Sequence, residues 1–153
     1  MCVFEYEEEA RRFYEVLDKR LGKVGLELSA EKTQSLPFSA QALGKSSFEF
    51  LGFEFRWGKD RKGKAHVDKR TARKSLRKSQ KRLSQWCKEN RHRKIPELFK
   101  ALNAKLRGYY NYFGVYGNLP SLNAFYLYAV RALWKHLNRR SQRKSYNWLT
   151  SIN

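Results

Sequence analysis

Beyond Asp60 the chain has almost no negative charge, with three acidic side chains, Asp68, Glu89 and Glu97, against 24 basic ones. Aspartate is scarce throughout, and of Asp18, Asp60 and Asp68 none is adjacent to another. Nucleotidyl transfer and most phosphodiester cleavage use clustered carboxylates to hold two divalent metals. The sequence offers no such acid pair. Glu7-Glu8-Glu9 is consecutive, and neighbouring helix residues point in different directions, so these acids suit the positive end of a helix dipole instead. Cysteine is also sparse. Cys2 and Cys87 form no metal-ligand or redox spacing and read as free thiols of a reducing compartment. His66, His92 and His136 stand alone, which suits surface or capping roles. Nucleophile motifs, phosphate-cradling glycine loops and zinc signatures are missing too. The expectation is a chain with no cofactor, no metal and no catalysis of its own. The longest apolar runs, such as Ala124 to Val130 before Arg131, fall far short of the roughly 20 residues that span a bilayer. The acidic N-terminus resembles no secretory signal. A soluble, cytoplasmic protein without a membrane-spanning segment is expected.

What is present is positive charge and aromatic surface. The 153 residues suit one domain, or one domain with a small appendage, and 41% hydrophobic content with 15% aromatic content supplies a core. The net charge is +19. Residues 1 to 60 hold 9 basic and 11 acidic side chains, so the whole excess lies after Asp60. Such a segment repels itself unless a polyanion shares its volume, and neutralising phosphates releases condensed counterions. Nucleic acid fits this requirement, and an anionic membrane surface is the other candidate.

Hydrophobic spacing gives an α+β fold, mostly α. Ala10, Phe13, Leu17, Leu21 and Val24 form a helical stripe over Glu7 to Val24, with Gly25 as a stop. Leu26-Glu27-Leu28 alternates as a strand does. The run from Phe48 to Phe55 alternates around Phe48, Phe50, Phe53 and Phe55, with Leu51-Gly52 breaking phase as a bulge would. Gly58 to Gly63 then turns the chain into a short strand at Ala65 to Val67. An N-terminal helix with a small antiparallel sheet is thus expected first. A three-helix bundle follows. Its first helix carries the stripe Ala72, Leu76, Ser79, Leu83 and Trp86, its second Ile95, Leu98, Phe99, Leu102, Leu106, Tyr109 and Phe113. The third carries Leu122, Phe125, Tyr126, Ala129, Val130, Leu133, Trp134 and Leu137, and Pro96 and Pro120 sit where first turns tolerate proline. The composition shift near Gly58 to Asp68 marks a boundary, giving domains at 1–68 and 69–150.

Binding chemistry concentrates in the second part. Arg73, Lys74, Arg77, Lys78, Lys81 and Arg82 occupy the first helix of the bundle outside its apolar stripe. The stretch from Lys105 to Phe113 mixes cations, rings and an amide, which lets a surface contact phosphates and stack on unpaired bases. Helical spacing assigns Leu106, Tyr109 and Phe113 to the core. It leaves Lys105, Arg107, Asn111 and the rings of Tyr110 and Tyr112 as candidate RNA contacts. A second cluster holds Arg139, Arg140, Arg143 and Lys144, followed by Tyr146 and Trp148. Its cations also suit a helix C-terminus.

At these residues the chain resembles the C-terminal half of the reverse transcriptase/maturase encoded by bacterial group II introns. Gly25 to Thr33 is similar to that family's "GLxLxxEKT" block, Phe50 to Phe53 to its "FLGF" block, and Leu106 to Phe113 to the "LRGWxNYF" signature of its maturase-specific domain. Tyr109 stands at the family's usual Trp. The resemblance implies that residues 1 to 68 are the end of a polymerase palm and that the helices after it are the thumb, or domain X, which grips intron RNA and assists splicing. The family's metal-binding "YADD" motif and its fingers are missing, which implies a fragment without polymerase activity. Structured RNA of a group II intron is then the expected partner. DNA shares the phosphate chemistry. A reverse transcriptase completed by another polypeptide and an inert fragment are the alternatives, and oligomeric state is left open.

Overall fold

In the computed structural model, residues 2–29, 31, 33–40 and 46–140 are described. Contacts divide the chain into two units, Met1–Ala42 and Leu43–Asn153.

The first unit carries helix α1, Glu7–Gly22. Glu7, Glu8 and Glu9 lie in its first turn and Lys19 and Arg20 in its last, the distribution that a helix dipole favours. Past the helix the Leu26 amide reaches back to the Leu21 carbonyl at 3.0 Å, and the Gly25 amide to that of Gly22 at 3.2 Å, a paired closure with glycine just outside the last turn. None of the α1 residues is buried. Leu26-Glu27-Leu28 alternates in sequence but forms no strand, correcting that expectation. Alternation supplies a face, and a strand also needs a partner for its amides and carbonyls. Among the described residues this unit holds no second strand to provide one.

The second unit starts with an antiparallel sheet of β1 (Ser47–Phe50), β2 (Phe53–Lys59) and β3 (Ala65–Thr71), in that order. The expected bulge at Leu51-Gly52 is instead a two-residue hairpin turn. Phe50 pairs with Phe53 and Phe48 with Phe55 across it. Of the two tight turns that follow the strand twist, type I′ takes positive φ at both central residues. Leu51 adopts φ 49° and Gly52 φ 81°. Gly52 takes that conformation freely, whereas Leu51 costs about 1 kcal/mol in it. Two tethers oppose the cost. The Tyr112 hydroxyl donates to the Leu51 carbonyl at 2.8 Å, and the Ala72 amide donates to that of Gly52 at 2.9 Å.

Register puts Phe48, Phe50, Phe53, Phe55 and Trp57 on one sheet face. The other face is charged. Glu54 and Arg70 are directly opposite and form a two-pronged pair at 2.8 and 3.0 Å, which holds the Glu54 carboxyl below its ordinary range. Asp68 takes His66 at 2.8 Å and Arg56 at 3.6 Å. Strand β3 runs without interruption through Asp68 and Lys69 to Thr71. Helix α2 begins two residues later.

Helices α2 (Arg73–Asn90), α3 (Ile95–Phe113) and α4 (Leu119–Leu137) share one core. Leu83 and Cys87 of α2, Leu102 of α3 and Phe125 and Ala129 of α4 are its buried members, with Leu76, Trp86, Leu106, Tyr109 and Leu133 packed around them. The stripes read from helical spacing are therefore the ones that meet. Tyr109 stacks on Phe125 with centroids 3.7 Å apart. Burial pushes the Cys87 thiol up to about 11. The apolar faces extend beyond what is covered, since Ile95 and Phe99 of α3 and Tyr126 of α4 remain exposed. In a bundle of three helices each helix meets two neighbours, which hide only part of a broad stripe. The α+β, mostly α architecture, with its small antiparallel sheet and three-helix bundle, stands as expected.

Candidate nucleic-acid interface

Helix α2 buries one narrow side and leaves the rest to solvent. Arg73, Lys74, Arg77, Lys78, Lys81 and Arg82 are all exposed. At about 100° per residue they sweep roughly half of the helix circumference. None of the six forms an ion pair with a described residue, in contrast to Arg56 and Arg70 on the sheet. Six like charges on one short surface raise the local positive potential and favour a polyanion against it.

The other candidates divide among three places. Lys105 of α3 holds its ammonium 5.3 Å from the Trp86 ring centre, which adds a seventh cation beside α2. Arg107 and Asn111, one turn apart, are exposed on a different side of α3, about 200° from Lys105 for Arg107. Arg139 and Arg140 follow the end of α4, and an Arg140 guanidinium nitrogen donates to the Arg93 carbonyl at 2.8 Å. Arg143 and Lys144, like Tyr146 and Trp148, lie outside the described residues.

The two candidate rings differ in how much of their chemistry is already used. Tyr112 is 52% exposed, yet its hydroxyl holds Leu51 and its ring stacks on Phe53 at 5.8 Å. Tyr110 is half-buried against the core and meets Tyr109 at 77° between ring planes, without a parallel stack.

Two residues at the joints of this unit escaped the sequence reading. Asn118 is 0% exposed, and its side chain accepts from the Thr71 amide and donates to the Thr71 hydroxyl and the Phe113 carbonyl, each at 2.8 Å. One amide thereby fastens the end of β3 to the end of α3 and the start of α4. In sequence it precedes Leu119-Pro120 and looks like an ordinary helix start. His136, expected at the surface, is 7% exposed, with Nε2 3.3 Å from the Ser84 hydroxyl. Burial first, then the charges of Lys135, Arg139, Arg91 and Lys88, push its pKa down. The signal was present: His136 follows Ala129 and Ala132 at spacings of 7 and 4, on the buried side of α4. Its charged neighbours show that Lys88 and Arg91 lie near Arg139, a grouping invisible in the linear chain.

Among the described residues no three His, Cys, Asp or Glu side chains gather as a metal site, and no helix is long and apolar enough to cross a membrane. The second unit is thus a basic three-helix module carried on a small sheet. Residues 76–151 match the group II intron, maturase-specific domain, and this segment, with nearly all of α2 and the whole of α3 and α4, belongs to that family. No curated protein and no solved structure matched the chain. The blocks at Gly25 to Thr33 and Phe50 to Phe53 lie ahead of the matched segment.

Proposed function

We propose that this chain is an RNA-binding maturase module that contacts group II intron RNA and assists its splicing without carrying out chemistry itself. The observation that carries the reading is the unpaired α2 cation face, extended by Lys105 over Trp86, in a segment of the maturase-specific family. Phosphate contacts from that face supply affinity, while Arg107, Asn111, Arg139 and Arg140 add contacts on other sides of the bundle. Residues from Lys69 onward form the RNA-gripping part in this reading, and residues 1–68 are the remnant of a polymerase palm. The work is done in the cytoplasm, where transcripts are found.

Filter binding with a group II intron RNA and an unrelated structured RNA, across a salt series, tests this. Tighter binding to the intron is expected, with the logarithm of affinity falling by about 0.7 to 0.9 per phosphate contact for each tenfold rise in salt. Equal affinity for both RNAs reduces the function to general polyanion binding. Absence of binding at low salt removes it. Template-dependent primer extension by the purified chain would replace it with a polymerase reading.

A further inference from the structure

Between the C-terminal half of α3 and the first turns of α4 lies an open cleft of about 730 Å³, lined by Tyr110, Leu119, Pro120, Leu122, Asn123 and Tyr126. Leu119, Asn123 and Tyr126 recur at spacings of 4 and 3, so they form one stripe of α4 facing the cleft. Tyr126 is 50% exposed and Leu119 73%, leaving apolar and aromatic surface in water. The two phenols are neighbours, close enough that Tyr126 adds to the effect of burial in pushing the Tyr110 phenol up. Among the described residues neither ring is stacked in parallel on another, whereas Tyr109 is stacked on Phe125 and Tyr112 on Phe53. Asn123 is exposed and brings one donor group and one acceptor group to the rim. Arg107 lies exposed one turn before Tyr110 on α3.

We propose that this cleft receives an unpaired base of the bound RNA, stacked against Tyr126 and Tyr110, with Asn123 on the base edge and Arg107 on the adjoining phosphate. The inference rests on the RNA-binding reading above and specifies which feature of the RNA this face takes. Charge selects the occupant. A module with a net charge of +19 in its chain attracts a polyanion, and an unpaired nucleotide joins negative charge to a flat apolar face. A paired helix keeps its bases stacked inside and offers the cleft nothing. Affinity for unpaired RNA therefore has two parts here, a phosphate part common to every RNA and a stacking part that only single strands, loops and bulges supply.

The test uses the full chain with a short single-stranded RNA carrying one 2-aminopurine and with a blunt RNA duplex of equal length. Stacking quenches 2-aminopurine fluorescence, so wild type and Tyr126→Phe should quench it on binding. Tyr126→Ala should abolish the quench and weaken single-strand binding about tenfold or more, while duplex affinity and its salt dependence stay unchanged. Asn123→Asp, an exposed change that leaves the core intact, should weaken single-strand binding in the same selective way. Thermal melts confirm that both variants fold. Undiminished quenching in Tyr126→Ala, or undiminished single-strand affinity in Asn123→Asp, overturns the cleft inference while wild-type duplex binding preserves the RNA-binding reading. Failure of wild type to bind either RNA overturns both. Self-association of wild type without RNA, lost in Tyr126→Ala, assigns the cleft to a second copy and likewise overturns the inference.

Discussion

Two faces of the same helical unit treat polar groups in opposite ways. Where α3 and α4 meet the sheet, polar atoms are matched inside the protein: Asn118 satisfies Thr71 and Phe113, and Tyr112 holds Leu51. On the outward face of α2, six cations stand outside any ion pair with a described residue, Arg73 alone lying near enough to Glu54 to help hold its carboxyl low. A buried polar group must find its partner within the fold or cost stability, whereas an exposed charge is solvated and free to meet something else. The first face therefore tells how the unit is held together, and the second carries the proposed RNA contacts. Substitutions should separate cleanly along this line, with the joint changing stability and the α2 face changing binding.

The sharpest break is expected at the joint. Asn118→Ala leaves the Thr71 amide and hydroxyl without their Asn118 partner and the Phe113 carbonyl with the Val115 amide alone, and should lower unfolding free energy by about 3 kcal/mol, read in a denaturant melt. Binding measured well below the melting temperature should keep its salt slope. The converse experiment neutralises Lys78 and Arg82 to Gln. RNA affinity should drop about tenfold at low salt and the slope against salt should flatten by roughly one to two contacts, with melting unchanged or slightly raised as like charges are removed. Loss of stability without loss of affinity in this second variant would erase the distinction between the two faces.

How much of this was legible in the sequence depended on whether a residue's partners were local. Helical stripes follow from spacing along one element, and the meeting of Leu83, Leu102 and Phe125 reproduces them. The α2 cation face is legible for the same reason, since it needs no partner in the protein. Leu51-Gly52 broke the alternation in plain view, but a bulge and a hairpin turn break phase alike. Only the pairing of Phe50 with Phe53 separates them. Asn118 and Thr71 are far apart in the chain, as are His136 and Ser84, and no local pattern announces either pair. The cleft is of this kind too. Tyr110 was singled out within α3, while Asn123 and Tyr126 gain meaning only when α4 is set beside it.

Acid offers a milder way to sharpen the comparison. His136 is folded into the bundle with a lowered pKa, so below its unfolded value of 6.5 the unfolded chain takes up a proton that the native one resists. Stability from this group is thus full above pH 6.5 and is lost as pH falls toward the lowered native value. Glu54 has the same sign but acts only below its ordinary 4.5, so the interval between the two values isolates the histidine. Melting temperature should decline across that interval in wild type and stay flatter in His136→Gln. An identical decline in the variant would assign the acid sensitivity elsewhere.

The smallest expected effect falls on Tyr112, the residue that belongs to both sides of the comparison. It is exposed enough to meet RNA, yet its hydroxyl donates to Leu51 and its ring stacks on Phe53. Tyr112→Phe keeps the ring and removes the donor. The Leu51 carbonyl can turn to water at this exposed turn, so the loss should be about 1 kcal/mol in melts, the net worth of one hydrogen bond. RNA affinity should be unchanged if the hydroxyl is wholly engaged in holding the strained hairpin turn. A loss of affinity with stability intact would instead show that the hydroxyl exchanges Leu51 for RNA on binding, and would extend the interface from the α2 face across the joint.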